Sequence, residues 1–415
     1  MSKPFSIQMS AAAAGRRGHL AQAAQDFGPL YGVLLGALVL TGGIGLIMLQ
    51  LRYGRLRRRR TVLASFAVIV VTSVLVGMTV SHDSGPAVAR TPGVPLLSTA
   101  ALGAQRVPVL VVPNRPGFNL VGVAADGASA GTDPGRLTAG RRYSGSERTW
   151  VGVTLGAGEQ RLYVSANGVS AALDVDTGHE PAAESATLRG TDGPECAAAA
   201  LGALLAGSER PWSACPADRL AAADTAMLRS TVHFLAARGT RSVALRSDDS
   251  PRARAAAAVV REAATRERLS VVAPGKGAPP LLVVADWAVA ETQVKDVAAG
   301  RVRAEGTYLA PWLLSPPVLG PSAGQIIPLR YDPRGPAAER YLSALAGRFP
   351  GELPSAAGYE AWQRQLGGDF APTLLYAAAE VYIPGMPSHQ HSKGADWLSS
   401  GMITPVSGPL RQPTP

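Results

Sequence analysis

Two long uncharged stretches, separated by a nine-residue arginine-rich loop, constrain this chain more than any other feature. Phe27 to Leu51 (FGPLYGVLLGALVLTGGIGLIMLQL) holds twenty-five residues without a charge, and Thr61 to Ser81 (TVLASFAVIVVTSVLVGMTVS) holds twenty-one. At about 1.5 Å of rise per residue, each run crosses the roughly 30 Å hydrocarbon core of a bilayer. Both are too long and too apolar for ordinary core helices. Between them RYGRLRRRR carries six arginines in nine residues, and a short loop this basic stays on the cytoplasmic side. The tail before the first run offers only Lys3, Arg16 and Arg17, so the loop sets the orientation. A two-helix membrane hairpin with both termini outside is expected, and everything after His82 is then exported. A signal peptide fits poorly: the first run is too long, no small-residue cleavage site precedes the arginines, and a second span follows. Gly28, Gly32 and Gly36 recur at four-residue spacing, which permits close helix–helix approach and a homodimer through the first span. The plainer reading is that glycine is common throughout this chain.

The hairpin also explains the charge. A net charge of +10 over 415 residues suggests a nucleic-acid partner at first sight. Residues 1–82 hold nine Lys/Arg against one acid, whereas residues 83–415 hold thirty-one against twenty-nine. The basicity belongs to the membrane segment, and nucleic acid is excluded as a partner of the exported part. Basic residues are nearly all arginine, and alanine, glycine and proline are abundant. That composition points to a GC-rich, actinobacterial type of source and weakens any argument from arginine abundance.

Domain organisation follows from texture. Residues 1–28 form an N-terminal tail, 29–51 and 61–81 the two spans, and 52–60 the cytoplasmic loop. Residues 82–105, rich in Pro, Gly and Ala, read as a linker. Short apolar or alternating runs (VPVLVVP, NLVGVAA, TWVGVTL, RLYVSA, AALDVDT), separated by turn residues, predict a small β-sandwich over 106–178. The segment 179–219 reads as a connector containing Cys196 and Cys215, the two cysteines of the chain. Nineteen residues apart in an oxidising compartment, they are expected to form a disulfide.

From Leu220 the period changes. Leu220, Met227, Leu228, Val232 and Leu235 recur at helical spacing until Gly239, a C-terminal cap residue. SVALR follows as a strand. Ser250-Pro251 then opens another helix, with a serine cap and proline in the first turn. LSVVA, PLLVVADW, GTYLAPWLL and QIIPL alternate with helices over 288–299, 336–348 and 355–365. This alternation predicts a three-layer α/β domain over 220–366 with a mainly parallel sheet. Residues 367–415 read as an irregular C-terminal tail.

The runs RGTRSVALRSDDSPRARAAAAVVREAA, PLLVVADW, GTYLAPWLL and IPLRYDP, with the later FPGELPSAAGYEAW, resemble one lobe of the type I periplasmic-binding-protein fold. The resemblance covers about 145 residues. It implies strands ending at a cleft, here near Asp248, Asp249, Asp286 and Trp287, and a Phe349-Pro350, Pro354-Ser355, Gly358-Tyr359 element packed behind. Proteins of that family close two lobes around a ligand, whereas here a β-rich segment stands where the first lobe would be. That segment, especially VPVLVVPNRPGFNLVGV, resembles small exported β-sandwiches of copper-handling membrane proteins.

Ligands of open α/β sheets gather at the carboxyl ends of strands. Asp248, Asp249, Asp286, Trp287 and Trp312 are therefore the candidate ligand residues, since an acid beside two indoles can cradle a cation or a sugar. The competing reading makes the acids helix-start residues favoured by the macrodipole and packs the indoles under loops. His389 and His391, near Met386 and Met402, are candidate copper ligands, although two histidines in a polar tail read more simply as solvated. No GxSxG, HExxH or phosphate-binding loop occurs, and no catalytic residue is assigned. The expected function is a membrane-anchored, exported binding or sensing module with a small-molecule or protein ligand. The alternative is a non-catalytic scaffold or accessory subunit of an envelope complex.

Overall fold

The computed structural model describes residues 91–142, 148–182, 185–275, 277–319, 324–380, 396–398 and 401–411. Both expected spans, their arginine loop, the Gly28/Gly32/Gly36 face, and His389 and His391 lie outside these residues. Among the described residues no helix is long and apolar enough to cross a membrane.

The first half is a β-sandwich. One sheet orders its strands β1 (Leu96–Leu102), β2 (Gln105–Val112), β3 (Gly117–Val123), β7 (Thr149–Leu155) and β6 (Arg141–Arg142). The other orders β5 (Thr138–Ala139), β4 (Ser129–Gly131), β8 (Glu159–Ala166) and β9 (Val169–Asp176). Where a strand meets water its burial alternates, as period-2 geometry requires: in β8, Leu162, Val164 and Ala166 point inward. β2 and β3 do not alternate at their inner ends. Val109, Val111, Val121 and Val123 fill the sandwich core. Their neighbours Leu110, Val112 and Leu120, with Trp150, face the other way into the core of the α/β half. An uninterrupted apolar run such as VPVLVV is what a strand covered on both faces needs.

The second half is built on a sheet of order β11 (Ser270–Val272), β10 (Ser242–Ser247), β12 (Leu281–Val284), β13 (Thr307–Leu309), β14 (Gln325–Leu329), β15 (Leu374–Glu380) and β16 (Gly401–Pro405). The pairs from β11 to β14 are parallel, and β14–β15 and β15–β16 are antiparallel. The helices in chain order are α1 (Ala186–Arg189), α2 (Gly193–Leu205), α3 (Ala222–Ala237), α4 (Pro251–Arg266), α5 (Trp287–Ala298), α6 (Pro316–Leu319), α7 (Pro336–Arg348) and α8 (Ala356–Gln365). Their starts are chemically marked. The Ser250 hydroxyl accepts from the Ala253 amide at 3.2 Å, and the Ser355 hydroxyl from Gly358 at 3.1 Å. α4 leads from β10 outward to β11, and α5 from β12 in the opposite direction to β13. Right-handed crossovers then place these helices on opposite faces of the sheet. The strand order reverses between β10 and β12.

Three boundaries differ from the sequence expectation. β1 lies inside the stretch read as linker: Ala-rich composition hid it, and a two-residue turn at Gly103 (φ 63°) pairs Leu102 with Gln105. β15 and β16 extend the sheet into the stretch read as an irregular tail, because the APTLLYAAAE run finds its partner in the distant β14. The connector supplies α2, in which every residue from Gly193 to Gly202 is buried. The expected disulfide Cys196–Cys215 is formed, with the Cα atoms 4.9 Å apart, and it holds α2 to the short 3-10 turn Pro216–Asp218.

α2 crosses α8 at two glycines. A Cβ on Gly202 would run into the Gly358 carbonyl oxygen, so only glycine allows this backbone approach. Gly202→Ala should therefore destabilise the fold by about 1–3 kcal/mol, the usual cost of overpacking. Gly347→Ala, on the exposed side of α7 where a Cβ meets nothing within 4 Å, should stabilise by up to about 1 kcal/mol through helix propensity. Urea unfolding followed by tryptophan fluorescence reads both; a tolerated alanine at Gly202 would contradict the close crossing.

Candidate functional site

The point where strand order reverses in an open parallel sheet leaves a crevice at the carboxyl ends of the flanking strands, and this is the default ligand position. Here those strands are β10 and β12, and the loops after them carry Asp248 and Asp286. Both carboxylates turn inward. Asp248 Oδ2 accepts from the Asp286 amide at 2.5 Å and its Oδ1 from the Ser250 amide at 2.6 Å, so it ties the two strand ends together. Asp286 caps α5, accepting from the Val289 amide at 2.7 Å, and its second oxygen accepts from the Thr191 hydroxyl at 2.6 Å. Asp249 is exposed beside them.

The indoles are similarly engaged. Trp312 is buried in the 3-10 turn Pro311–Leu313 and donates to the Ala285 carbonyl at 2.9 Å. Trp287 is half-buried in the first turn of α5 and donates to the Trp312 carbonyl at 3.3 Å. The structure thus brings Asp248, Asp286, Trp287 and Trp312 together, but their polar groups bond to the backbone and to Thr191.

What fills the crevice is the start of α2. Glu195, fully buried, receives a two-pronged bond from Arg252: Nη1 to Oε1 and Nη2 to Oε2, both 2.6 Å. The Arg252 guanidinium, 2% exposed, lies over the Trp312 ring at 4.5 Å. Asp192, the residue before α2, stands 3.8 Å from the same guanidinium. Burial would lower the pKa of Arg252, but the charge and hydrogen bonds of Glu195 more than offset this and raise it. The reverse holds for Asp192. Burial first, and then repulsion from Glu195, push its carboxyl up to about 7 against the pull of Arg252.

Three cavities among the described residues have volumes of about 380, 290 and 170 Å³, and none is lined by Asp192, Glu195, Arg252, Asp286 or Trp312. A carboxyl titrating near neutrality beside a buried arginine is an arrangement often met in catalytic sites. Here none of those three cavities reaches it. Among the described residues no group of three or more His, Cys, Asp or Glu side chains could hold a metal ion.

The sequence reading missed Glu195 and Arg252. A signal was present: Glu195 is the one acid at the head of CAAAALGALLAG, twelve residues without a charge. An acid leading an apolar helix is either at its solvent end or paired in the interior. A second buried pair lies between the two halves. Arg148, at the foot of β7, has its Nε 3.0 Å from Glu352, donates from Nη2 to the Phe349 carbonyl at 2.9 Å and to that of Pro350, and stacks on the Phe349 ring. Burial drives the Glu352 carboxyl up to about 7 despite the attraction of Arg148.

No known protein family matches the chain, and no curated protein matches it. Among solved structures the chain is similar to an extracellular ligand-binding receptor from Verminephrobacter eiseniae, 15% identical, with a TM-score of 0.28 over 36% of this chain and 50% of that one. It is also similar to an ABC transporter substrate-binding protein from Desulfitobacterium hafniense in complex with Leu (13% identical, TM-score 0.25, 35% and 50%). A third is a branched-chain amino acid ABC transporter periplasmic ligand-binding protein from Burkholderia xenovorans (10% identical, TM-score 0.31, 43% and 62%). The chain spans about half the length of the first two.

Two outcomes follow from the buried charges. Glu195→Ala leaves Arg252 buried without its main partner and should cost about 3–5 kcal/mol, whereas Glu195→Leu with Arg252→Met should cost far less. Denaturant unfolding of the three proteins decides, and equal losses would show that the pair is not buried as described. Asp192 and Glu352, together with half-buried Asp224, which burial raises to about 7, hold protons in the folded state at pH values where the unfolded chain has released them. Their contribution to stability is complete below about pH 4 and is lost as pH rises through 7. The urea midpoint should fall between pH 5 and pH 8, and Asp192→Asn should flatten that fall. A midpoint that climbs over this range, with Asp192→Asn making no difference, would contradict the assignment.

Proposed function

We propose that the chain is a membrane-anchored, exported, non-catalytic module that serves as a fixed platform in an envelope assembly. The observation carrying this reading is the closure of the strand-end crevice by α2, with Glu195 and Arg252 standing where a ligand of an open α/β sheet would lie. Thr191, Asp248, Asp286, Trp287 and Trp312 are committed to internal bonds, so a small molecule entering there would have to displace a helix joined by a disulfide to its neighbour. The pairing of Arg148 with Glu352 between sandwich and α/β half works against a hinge motion. A rigid module presents its outer surface, and that favours a protein partner. The two uncharged runs and the arginine loop support anchoring with the described residues outside.

The test has two arms on the full chain. Thermal unfolding in detergent against amino acids, sugars and oligopeptides should show no shift that depends on the crevice. A ligand at one hundred times its Kd would add about 2.7 kcal/mol, which such a scan detects. Crosslinking in native membranes should give discrete adducts of this chain with another envelope protein. A saturable shift abolished by Asp286→Asn or Trp287→Phe would restore the crevice as a ligand site. Absence of adducts would remove the platform reading.

A further inference from the structure

We propose that a second place on the module, the groove between α2, α8 and the loop 208–216, binds a small amphiphilic carboxylate. The groove has a volume of about 380 Å³, within the range of small-molecule sites. Ala199, Ala200, Ala203 and Leu204 of α2 make an apolar floor, and Trp212 forms one wall. Arg210 and Arg364 line it from the loop and from the last turn of α8, and no acidic residue contributes to the lining.

The plain explanation of an arginine in a last helical turn is the helix dipole, and it suffices for Arg364. It does not reach Arg210, which lies on a loop. Among the described residues, no carboxylate stands within ion-pair distance of Arg210. Arg364 meets only Glu360 of its own helix, at 4.0 Å. Arg210, which forms no ion pair even with its chain neighbour Glu209, and Arg364, which is partly neutralised, favour a monoanion. An apolar floor and an indole favour a ligand whose remainder is hydrocarbon. Guanidinium groups bind carboxylates through paired, charge-assisted hydrogen bonds.

The wall carrying Arg210 is tied down at two points that follow it in the chain. Cys215 is bonded to Cys196 of α2, and the Trp212 amide donates to the Gly93 carbonyl at 2.8 Å. Ser208 accepts from the Arg210 amide at 3.3 Å. A loop whose backbone is fixed in this way loses less freedom when a ligand binds, which lowers the ordering cost of binding. The floor belongs to later turns of the same α2 whose first turn closes the crevice, so the two sites are separate and this inference goes beyond the platform reading.

The probe is 4-phenylbutyrate, with 4-phenylbutanamide as its uncharged counterpart. Binding to the full chain in lipid nanodiscs is measured by titration calorimetry, with empty nanodiscs as reference. The carboxylate should bind saturably with Kd below about 1 mM, and the amide at least tenfold more weakly. Arg210→Ala and Arg364→Ala should each weaken the carboxylate at least tenfold. Arg301→Ala, at a remote surface pair with Asp296, should leave it unchanged. Near-UV circular dichroism of the loop variant Arg210→Ala confirms that the fold persists. No saturable binding, equal affinity for acid and amide, or indifference to both arginines would overturn the proposal. None of those results bears on crosslinking or on the crevice.

Discussion

Everything in the described region converges on a single helix with no solvent face through most of its length. Ten consecutive residues of α2 are buried, and a helix apolar all round is stable only when neighbours cover every side. The sandwich covers one side through β2 and through Leu120 of β3, which lies against Gly193. α8 covers another at the Gly202–Gly358 crossing, and the disulfide fixes a third. The first turn closes the strand ends through Glu195 and Arg252. Removing α2 would open the core, the crevice and the joint between halves together.

The buried ionic groups stand at joints. Glu195 with Arg252 joins α2 to α4, and Arg148 with Glu352 joins the sandwich to the segment between α7 and α8. Buried pairs add little net stability over apolar replacements, because desolvation offsets most of the attraction. What they do supply is intolerance of alternatives: a shifted docking leaves a charge in the interior without its partner. The raised carboxyl groups of Asp192 and Glu352 record how near desolvation comes to winning.

Local features of the fold were legible in the sequence. The start of α4 at Ser250-Pro251, the span of α7 and the end of α3 before Gly239 follow from caps and period. The Cys196–Cys215 bridge follows from compartment and count. Strands β1 and β15 were hidden because alanine-rich runs carry weak strand propensity, and the short β16 gains its place only from β15. The candidate site was legible only as a position. Asp248, Asp286, Trp287 and Trp312 do meet at the strand ends, but α2 comes from a segment that reads as a connector, and no local pattern joins Glu195 to an arginine fifty-seven residues away.

The sheet buried on both faces has a consequence for how the chain reaches its folded state. Leu110, Val112, Leu120 and Trp150 form an apolar surface that belongs to the core of the α/β half and not to that of the sandwich. A chain emerging from its amino end presents that surface before α2 has emerged, and long before Gly358 arrives to receive α2. Contacts of such large sequence separation form slowly, and exposed apolar intermediates aggregate. Acquisition of the native state is therefore tied to release of nearly the whole region. The sandwich is not an autonomous unit waiting for a second one, but the first wall of a single interior.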